Sequence, residues 1–331
     1  MAHKNAYDYR LVDDEAGLED AIPELKRNTG PLAVDCEGLS LSRKGALTII
    51  TVATEEKTYI FDVLKLGKAV FSAGLSELLE DRFREKLMFD CREDSDALWH
   101  QFGVKLTGVL DLQLLEILHR RRSPAARSQS SIKHNPRGQR TDKVESIYGF
   151  RRCLELYVQD KEMIKIKETG SQAFKRGDKE AWKKRPLTTE LLHYCVVDTM
   201  GMFKLYDKLK DAEERDKARL QVASERYVDL YRGKTQRYFD QYEMNALLPL
   251  YIIPDDGASE YMVADTPCAK CHRQFPREEF SKTQQRKGEK KCRVCKELKR
   301  RADAKQIREA QWERSQTFDY FSGEDFDDSF F

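Results

Sequence analysis

The stretch Pro31-Leu-Ala-Val-Asp35-Cys36-Glu37-Gly38, with Ala46-Leu-Thr-Ile-Ile-Thr-Val-Ala-Thr54 and Thr58-Tyr-Ile-Phe-Asp-Val63 after it, decides the fold. The first is an apolar run bounded by Gly30 and Gly38 and reads as a buried strand. The second is β-branched and nearly all apolar, the pattern of a central strand. The third follows after a short connection, so the three predict a meander. Upstream, Tyr7 to Val12 reads as a short strand, and Asp13 or Asp14 caps a helix from about Glu15 to Lys26. Pro23 predicts a kink or an early end to that helix. Downstream, a helix is expected from about Val70 to Leu79, then mixed patterns to Leu110, then helical periodicity over Ser146 to Tyr157. Thr188 to Leu209 carries Leu191, Leu192, Cys195, Val196, Met202, Leu205 and Leu209 at helical spacing, with Thr188 as cap. A separate charged helix is expected over about Ala212 to Tyr238. Strands first, then helices alternating with further strands, predict an α/β domain with a mixed sheet flanked by helices.

A chain of 331 residues accommodates one domain of about 200–250 residues and a smaller module. The net charge of +2 says little about partners, but the charge is segregated. Residues 120–143 and the stretch from Arg286 to Arg301 are basic, whereas the C-terminal end is acidic and aromatic. That pattern predicts a polyanion on one side and a different partner on the other. Met1 to Asp14 has no apolar leader, and no apolar run approaches the ~20 residues of a membrane span. The expectation is an intracellular protein of nucleus or cytoplasm, not secreted and not in a membrane. Cys36, Cys91, Cys153 and Cys195 are scattered and read as reduced, mostly buried thiols.

Residues two apart on a strand share a face, so Asp35 and Glu37 present two carboxylates together at a strand end. One acidic pair alone is more often a solvated terminus. This pair follows a buried run and precedes a central strand, which argues for a site. Carboxylates held close repel unless cations sit between them, and hard oxygen ligands suit Mg²⁺ or Mn²⁺. Tyr194 and Asp198, four apart on the Thr188 helix, share a face beside its apolar stripe. A plain surface pair is the competing reading.

Taken together these motifs resemble the DnaQ-like, DEDDy branch of 3′–5′ exonucleases, the ribonuclease D, Werner and Egalitarian type. Asp35 and Glu37 match the family's first motif, and Gly45-Ala-Leu47-Thr-Ile-Ile its following strand. Asp94, Leu98 and Phe102-Gly103 fit the second motif, with Asp90 and Asp96 as poorer rivals. Leu110-Asp111-Leu-Gln113 matches a further element in which Asp111 is structural, and Tyr194 with Asp198 matches the third motif. Trp182, Arg185, Pro186 and Leu187 match the element before it. The resemblance covers roughly residues 7–250 and departs from the family at the basic insertion over 120–143. It implies a ribonuclease H-like, mixed five-stranded sheet. It also implies two Mg²⁺ or Mn²⁺ held by Asp35, Glu37, Asp94 and Asp198, with Asp35 bridging and Tyr194 orienting the attacking water. The implied activity is hydrolysis from a free 3′ end of RNA or single-stranded DNA. A weak or inactive RNA-binding adaptor on the same fold is the alternative.

Cys268-x-x-Cys271 and Cys292-x-x-Cys295 are separated by 20 residues, the spacing of a Cys₄ structural zinc site. His272 is a rival ligand. A linker at Pro254-Asp-Asp-Gly257 sets the domain plan: exonuclease domain 1–250, finger 256–301, then a basic helix and an acidic-aromatic tail over 302–331. Arg120, Arg121 and Arg122 in the insertion, and Lys290 and Lys291 in the finger, are candidate phosphate contacts. The finger and tail are also candidate protein-binding surfaces, and a plain solvated face competes with each of these readings.

Overall fold

The computed structural model describes residues 8–122, 144–175, 180–255 and 264–321. Of the insertion, Arg127, Lys133, Arg137 and Arg140 lie outside the described residues, as does the end of the tail. The described chain forms two compact units. The first takes residues up to 122, 147–237 and 251–255; the second takes 144–146, 238–250 and 264 onward.

The first unit is built on a sheet whose strands are β1 (Tyr9–Val12), β2 (Leu32–Gly38), β3 (Leu47–Ala53), β4 (Thr58–Asp62), β5 (Lys86–Met88) and β6 (Val109–Asp111). The order is β1-β4-β3-β2-β5-β6, so the sheet has six strands rather than the expected five. The short β1, expected from Tyr7 to Val12, adds in parallel at the edge through its pairing with β4. The β2–β3 and β3–β4 pairs are antiparallel, the meander expected from their short connections. The β2–β5 and β5–β6 pairs are parallel, because a helical segment intervenes each time. Every residue of β3 is buried, which is why its sequence runs apolar instead of alternating.

Helix α1 (Glu15–Arg27) starts where Asp14 accepts from the Gly17 amide. It continues through Pro23 to Arg27 rather than ending there. Helices α2 (Arg92–Ala97) and α3 (Leu112–Arg122) follow β5 and β6. Helix α4 (Lys161–Lys175) was not expected. Its start is marked by Asp160, which accepts from the Glu162 and Met163 amides. Helix α5 (Thr189–Arg232) joins the two helices expected as separate, with a break in helical geometry at Asp216. Thr188 caps it by accepting from the Leu191 amide. Leu191, Cys195 and Val196 pack with Ile49, Ile60, Trp182 and Leu187, so the apolar stripe of α5 seats on the strands.

The second unit holds a small hairpin, β7 (Thr266–Pro267) with β8 (Gln274–Phe275), then α6 (Lys282–Lys287) and α7 (Arg293–Phe321). Ser281 and Gln284 form a reciprocal capping box on α6. Phe275 and Phe280 meet edge to face at 6.3 Å between centroids. Among the described residues no helix is long and apolar enough to cross a membrane.

Candidate functional site

Strand β2 leaves the sheet core at Asp35. Pairing of Asp35 with Thr51 and Glu37 with Ile49 on β3 puts both carboxylates on one face, ahead of an irregularity between Glu37 and Gly38. Asp198 arrives from α5. One carboxylate oxygen each from Asp35, Glu37 and Asp198 lies within 4.8 Å of the others. Asp94 is not in that triad. From the first turn of α2 its Oδ1 accepts the Cys36 amide at 3.0 Å, so it grips the backbone between the two strand carboxylates.

The approach of α2 is set by Gln101. It donates to the Ser42 and Gly45 carbonyls at 2.7 Å each and accepts the Leu47 amide at 3.1 Å. This binds the segment after α2 to the loop between β2 and β3. Gly45 is required there: a Cβ would stand 1.9 Å from the Ser40 carbonyl oxygen.

The rivals have other partners. Asp96 is fully buried between Arg43 and Arg237, 2.9 Å and 2.8 Å away. Burial opposes its ionisation, but those guanidiniums hold its carboxyl below the ordinary range. Asp90 pairs with Arg92. Asp111 accepts from the Gln113, Leu114 and Cys91 amides and ties β6 to the start of α3 and to the segment after β5. Leu98 is completely buried and belongs to the core.

Tyr194 sits one turn before Asp198 on α5, its ring 6.0 Å from that of Trp182. Arg185, from the same approach segment, donates to both Asp62 oxygens and to the Thr48 carbonyl. A residue that the sequence reading missed completes the cluster. Lys167, on the unexpected α4, pairs with Asp198 Oδ1, and its Nζ lies 3.8 Å from the centroid of the Tyr194 ring. The available signal was Asp160 followed by Met163, Ile166 and Gly170 at helical spacing.

Electrostatically the site is overloaded with negative charge. Burial, then Asp198, Glu37 and Asp94, push the Asp35 carboxyl well above the ordinary range. Burial and Asp198 push Glu37 up to about 8, and burial raises Asp94 to about 7. Burial raises Asp198 too, against the pull of Lys167. The Tyr194 hydroxyl is raised by burial and then by Asp198 and Glu37. Asp35 Oδ2 is buried without a hydrogen-bond partner. Converging hard oxygens, one of them orphaned, fit a divalent cation.

In the second unit, the four cysteines of the two Cys-x-x-Cys pairs come together and all are buried. Cys268 and Cys295 sulfurs are 3.8 Å apart, and those of Cys271 and Cys292 are 3.9 Å apart. A tetrahedron with Zn–S bonds of about 2.3 Å has edges of about 3.8 Å, so the cluster has the dimensions of a Cys₄ zinc site. The Lys270 and Cys292 amides donate to Cys268 Sγ, and Arg273 Nε donates to Cys271 Sγ. Such N–H···S bonds favour thiolates. His272 lies outside the cluster, its ring stacked on Tyr238 at 4.4 Å.

Of the candidate phosphate contacts, Arg120 donates to buried Glu116 and lies over Tyr148. Arg122 pairs with Asp216. Arg121 is part-exposed at the end of α3. Lys290 and Lys291 are part-exposed just ahead of Cys292.

Residues 9–213, more than half of the chain, match the family model described as 3′–5′ exonuclease. Among curated relatives, piRNA biogenesis protein EXD1 of Mus musculus is 41% identical over 87 residues, 26% of this chain and 15% of that protein. The EXD1 protein of Xenopus laevis is 33% identical over 109 residues, 33% of this chain and 24% of that one. The chain therefore spans about a quarter or less of these two relatives. Among solved structures, ribonuclease D of Trypanosoma brucei superposes with a TM-score of 0.58 at 24% identity, covering 85% of this chain and 90% of that one. Its complex with RNA U12 gives 0.60 at 23%, covering 85% and 88%. These likenesses show a ribonuclease D-like fold.

Proposed function

The chain belongs to the 3′–5′ exonuclease family, and on that premise we propose that it is an active, metal-dependent nuclease that shortens RNA from a free 3′ end. The observation that carries this reading is the convergence of Asp35, Glu37 and Asp198 within 4.8 Å, with a buried, unpartnered oxygen on Asp35. An arrangement so rich in buried negative charge costs stability unless cations compensate it, so it is expected where cations are used. Asp35, Glu37, Asp94 and Asp198 would hold two Mg²⁺ or Mn²⁺ ions. Bound there, such a pair supplies a nucleophilic water at neutral pH and charge stabilisation on the attacking and leaving oxygens.

The remaining work falls to the protein. Asp94 keeps the Cys36 backbone in place between the two strand ligands. Arg185 anchors the segment that enters α5, and so fixes the position of Tyr194 and Asp198. Tyr194, whose hydroxyl stays protonated at neutral pH, orients the attacking water by hydrogen bonding rather than removing its proton. RNA is preferred to single-stranded DNA because one structural relative is a ribonuclease D solved with RNA U12 and the curated relatives are piRNA biogenesis proteins. The Cys₄ cluster is proposed to hold one structural Zn²⁺ and to present Lys290 and Lys291 to the phosphate backbone. Arg120, Arg121 and Arg122, part-exposed at the end of α3, are proposed as further phosphate contacts. On this reading the exonuclease domain spans 1–250, the finger 256–301, and a basic helix with an acidic-aromatic tail 302–331.

The test is a 5′-labelled oligonucleotide offered as RNA, single-stranded DNA and duplex, with Mg²⁺, Mn²⁺ or EDTA. The expected result is a metal-dependent ladder on RNA, lost in Asp35→Ala and blocked by a 3′-phosphate. Tight, metal-independent RNA binding with no cleavage would instead establish the adaptor reading.

A further inference from the structure

Lys167 is placed in the carboxylate cluster by construction. Helix α4 packs on α5 through Met163 against Val197, with Phe150, Ile166 and Met200 around them. One turn beyond Lys167, Gly170 lies against the Tyr194 ring so closely that a Cβ would stand 2.5 Å from its Cδ2. Any larger residue would hold α4 further from the site. The absent side chain at 170 is thus what lets the ammonium of Lys167 reach Asp198 and lie over the Tyr194 ring. The Lys167 side chain is 12% exposed and that of Asp198 4%, so solvent screens the pair poorly.

We propose that Lys167 is a built-in counter-cation that holds the metal-free carboxylates together, must withdraw before a divalent ion enters, and thereby sets the metal affinity of the site. The inference rests on the nuclease reading above. Its logic is charge balance. Asp35, Glu37 and Asp198 gathered within 4.8 Å need positive charge, and Lys167, paired with Asp198, supplies part of it. An ammonium and a divalent ion cannot share Asp198 without repelling each other. The lysine stem is flexible, so the charge can leave while the helix stays. Its departure also uncovers the face of Tyr194 that it occupies, which couples metal entry to exposure of that ring.

The experiment is calorimetric titration of Mn²⁺ into the full chain, comparing wild type with Lys167→Met, Lys167→Gln and Lys167→Arg, paired with thermal melts in EDTA. Loss of the charge should tighten Mn²⁺ binding about tenfold, within the usual range of coupling between two sites. In EDTA the same variants should melt below wild type, and saturating Mn²⁺ should remove the deficit. Lys167→Arg should bind within about threefold of wild type. Lys167→Gln, which keeps a hydrogen bond to Asp198 without the charge, decides the case should Lys167→Met not fold. Unchanged or weaker Mn²⁺ binding in the neutral variants would overturn the inference and leave the nuclease reading standing. Absence of Mn²⁺ binding in wild type and variants alike would end both.

Discussion

Replacing Glu37 by Gln should make the metal-free protein more stable while removing its response to metal. Burial and the neighbouring Asp198 raise the Glu37 carboxyl from 4.5 to about 8. The folded state therefore binds a proton between those values that the unfolded chain has already released. The sign follows directly. The stability linked to Glu37 is fully present below pH 4.5 and is lost as pH rises through about 8. At pH 7 the mismatch spans 7 − 4.5 = 2.5 units above the ordinary value. At about 1.4 kcal/mol per unit the ceiling is about 3 kcal/mol. Partial exposure and local relaxation reduce this to about 1–2 kcal/mol, a rise in Tm of about 3–6 °C. Gln has no such titration. Its advantage should shrink below about 1 kcal/mol at pH 5 and grow toward pH 8. The assay is thermal melting in EDTA across that range, repeated with saturating Mn²⁺, which should raise wild type and leave Glu37→Gln nearly unmoved. A variant that melts at or below wild type in EDTA at pH 7–8, or a difference independent of pH, would refute the account of a site strained by its own charge.

The rival acids separate by the same kind of measurement. Asp96→Ala should cost about 3 kcal/mol by removing the buried carboxylate between Arg43 and Arg237, the latter keeping its pair with Glu93, yet leave Mn²⁺ affinity unchanged in the folded fraction. Asp94→Ala should do the reverse, weakening Mn²⁺ binding tenfold or more for a stability change within about 1 kcal/mol. Arg185→Ala should destabilise by about 3 kcal/mol, read by urea melting, because the buried Asp62 carboxylate loses its guanidinium partner and keeps the Lys65 amide. Metal analysis should find one zinc per chain, and Cys292→Ser should lose it together with the chemical-shift dispersion of Phe275 and Phe280.

Much of this protein was determined locally, and the sequence by itself was enough for that part. The apolar run of β3 could only be a strand covered on both faces. The period of two on β2 put Asp35 and Glu37 on one face, and the period of 3.6 on α5 put Tyr194 and Asp198 on another. Two Cys-x-x-Cys pairs at zinc-site spacing announced their own cluster. What the tertiary structure decided is whatever depends on contacts between segments far apart in sequence. Asp94, Asp96 and Asp90 are chemically identical and lie within seven residues. The register of the motif prefers Asp94, but only the arrival of Arg43 and Arg237 at Asp96 and of the Cys36 amide at Asp94 gives those two different surroundings, whereas Asp90 pairs with its near neighbour Arg92. The short strand β1 is legible in Tyr7 to Val12, but its parallel place at the sheet edge is set by its pairing with β4. Lys167 stands on a helix that a reader of isolated segments passes over. Its place in the site is due to Gly170, whose missing side chain matters only once Tyr194 is folded against it. Periodicity is carried along the chain, whereas charge balance at a site is a sum over groups that only packing brings together.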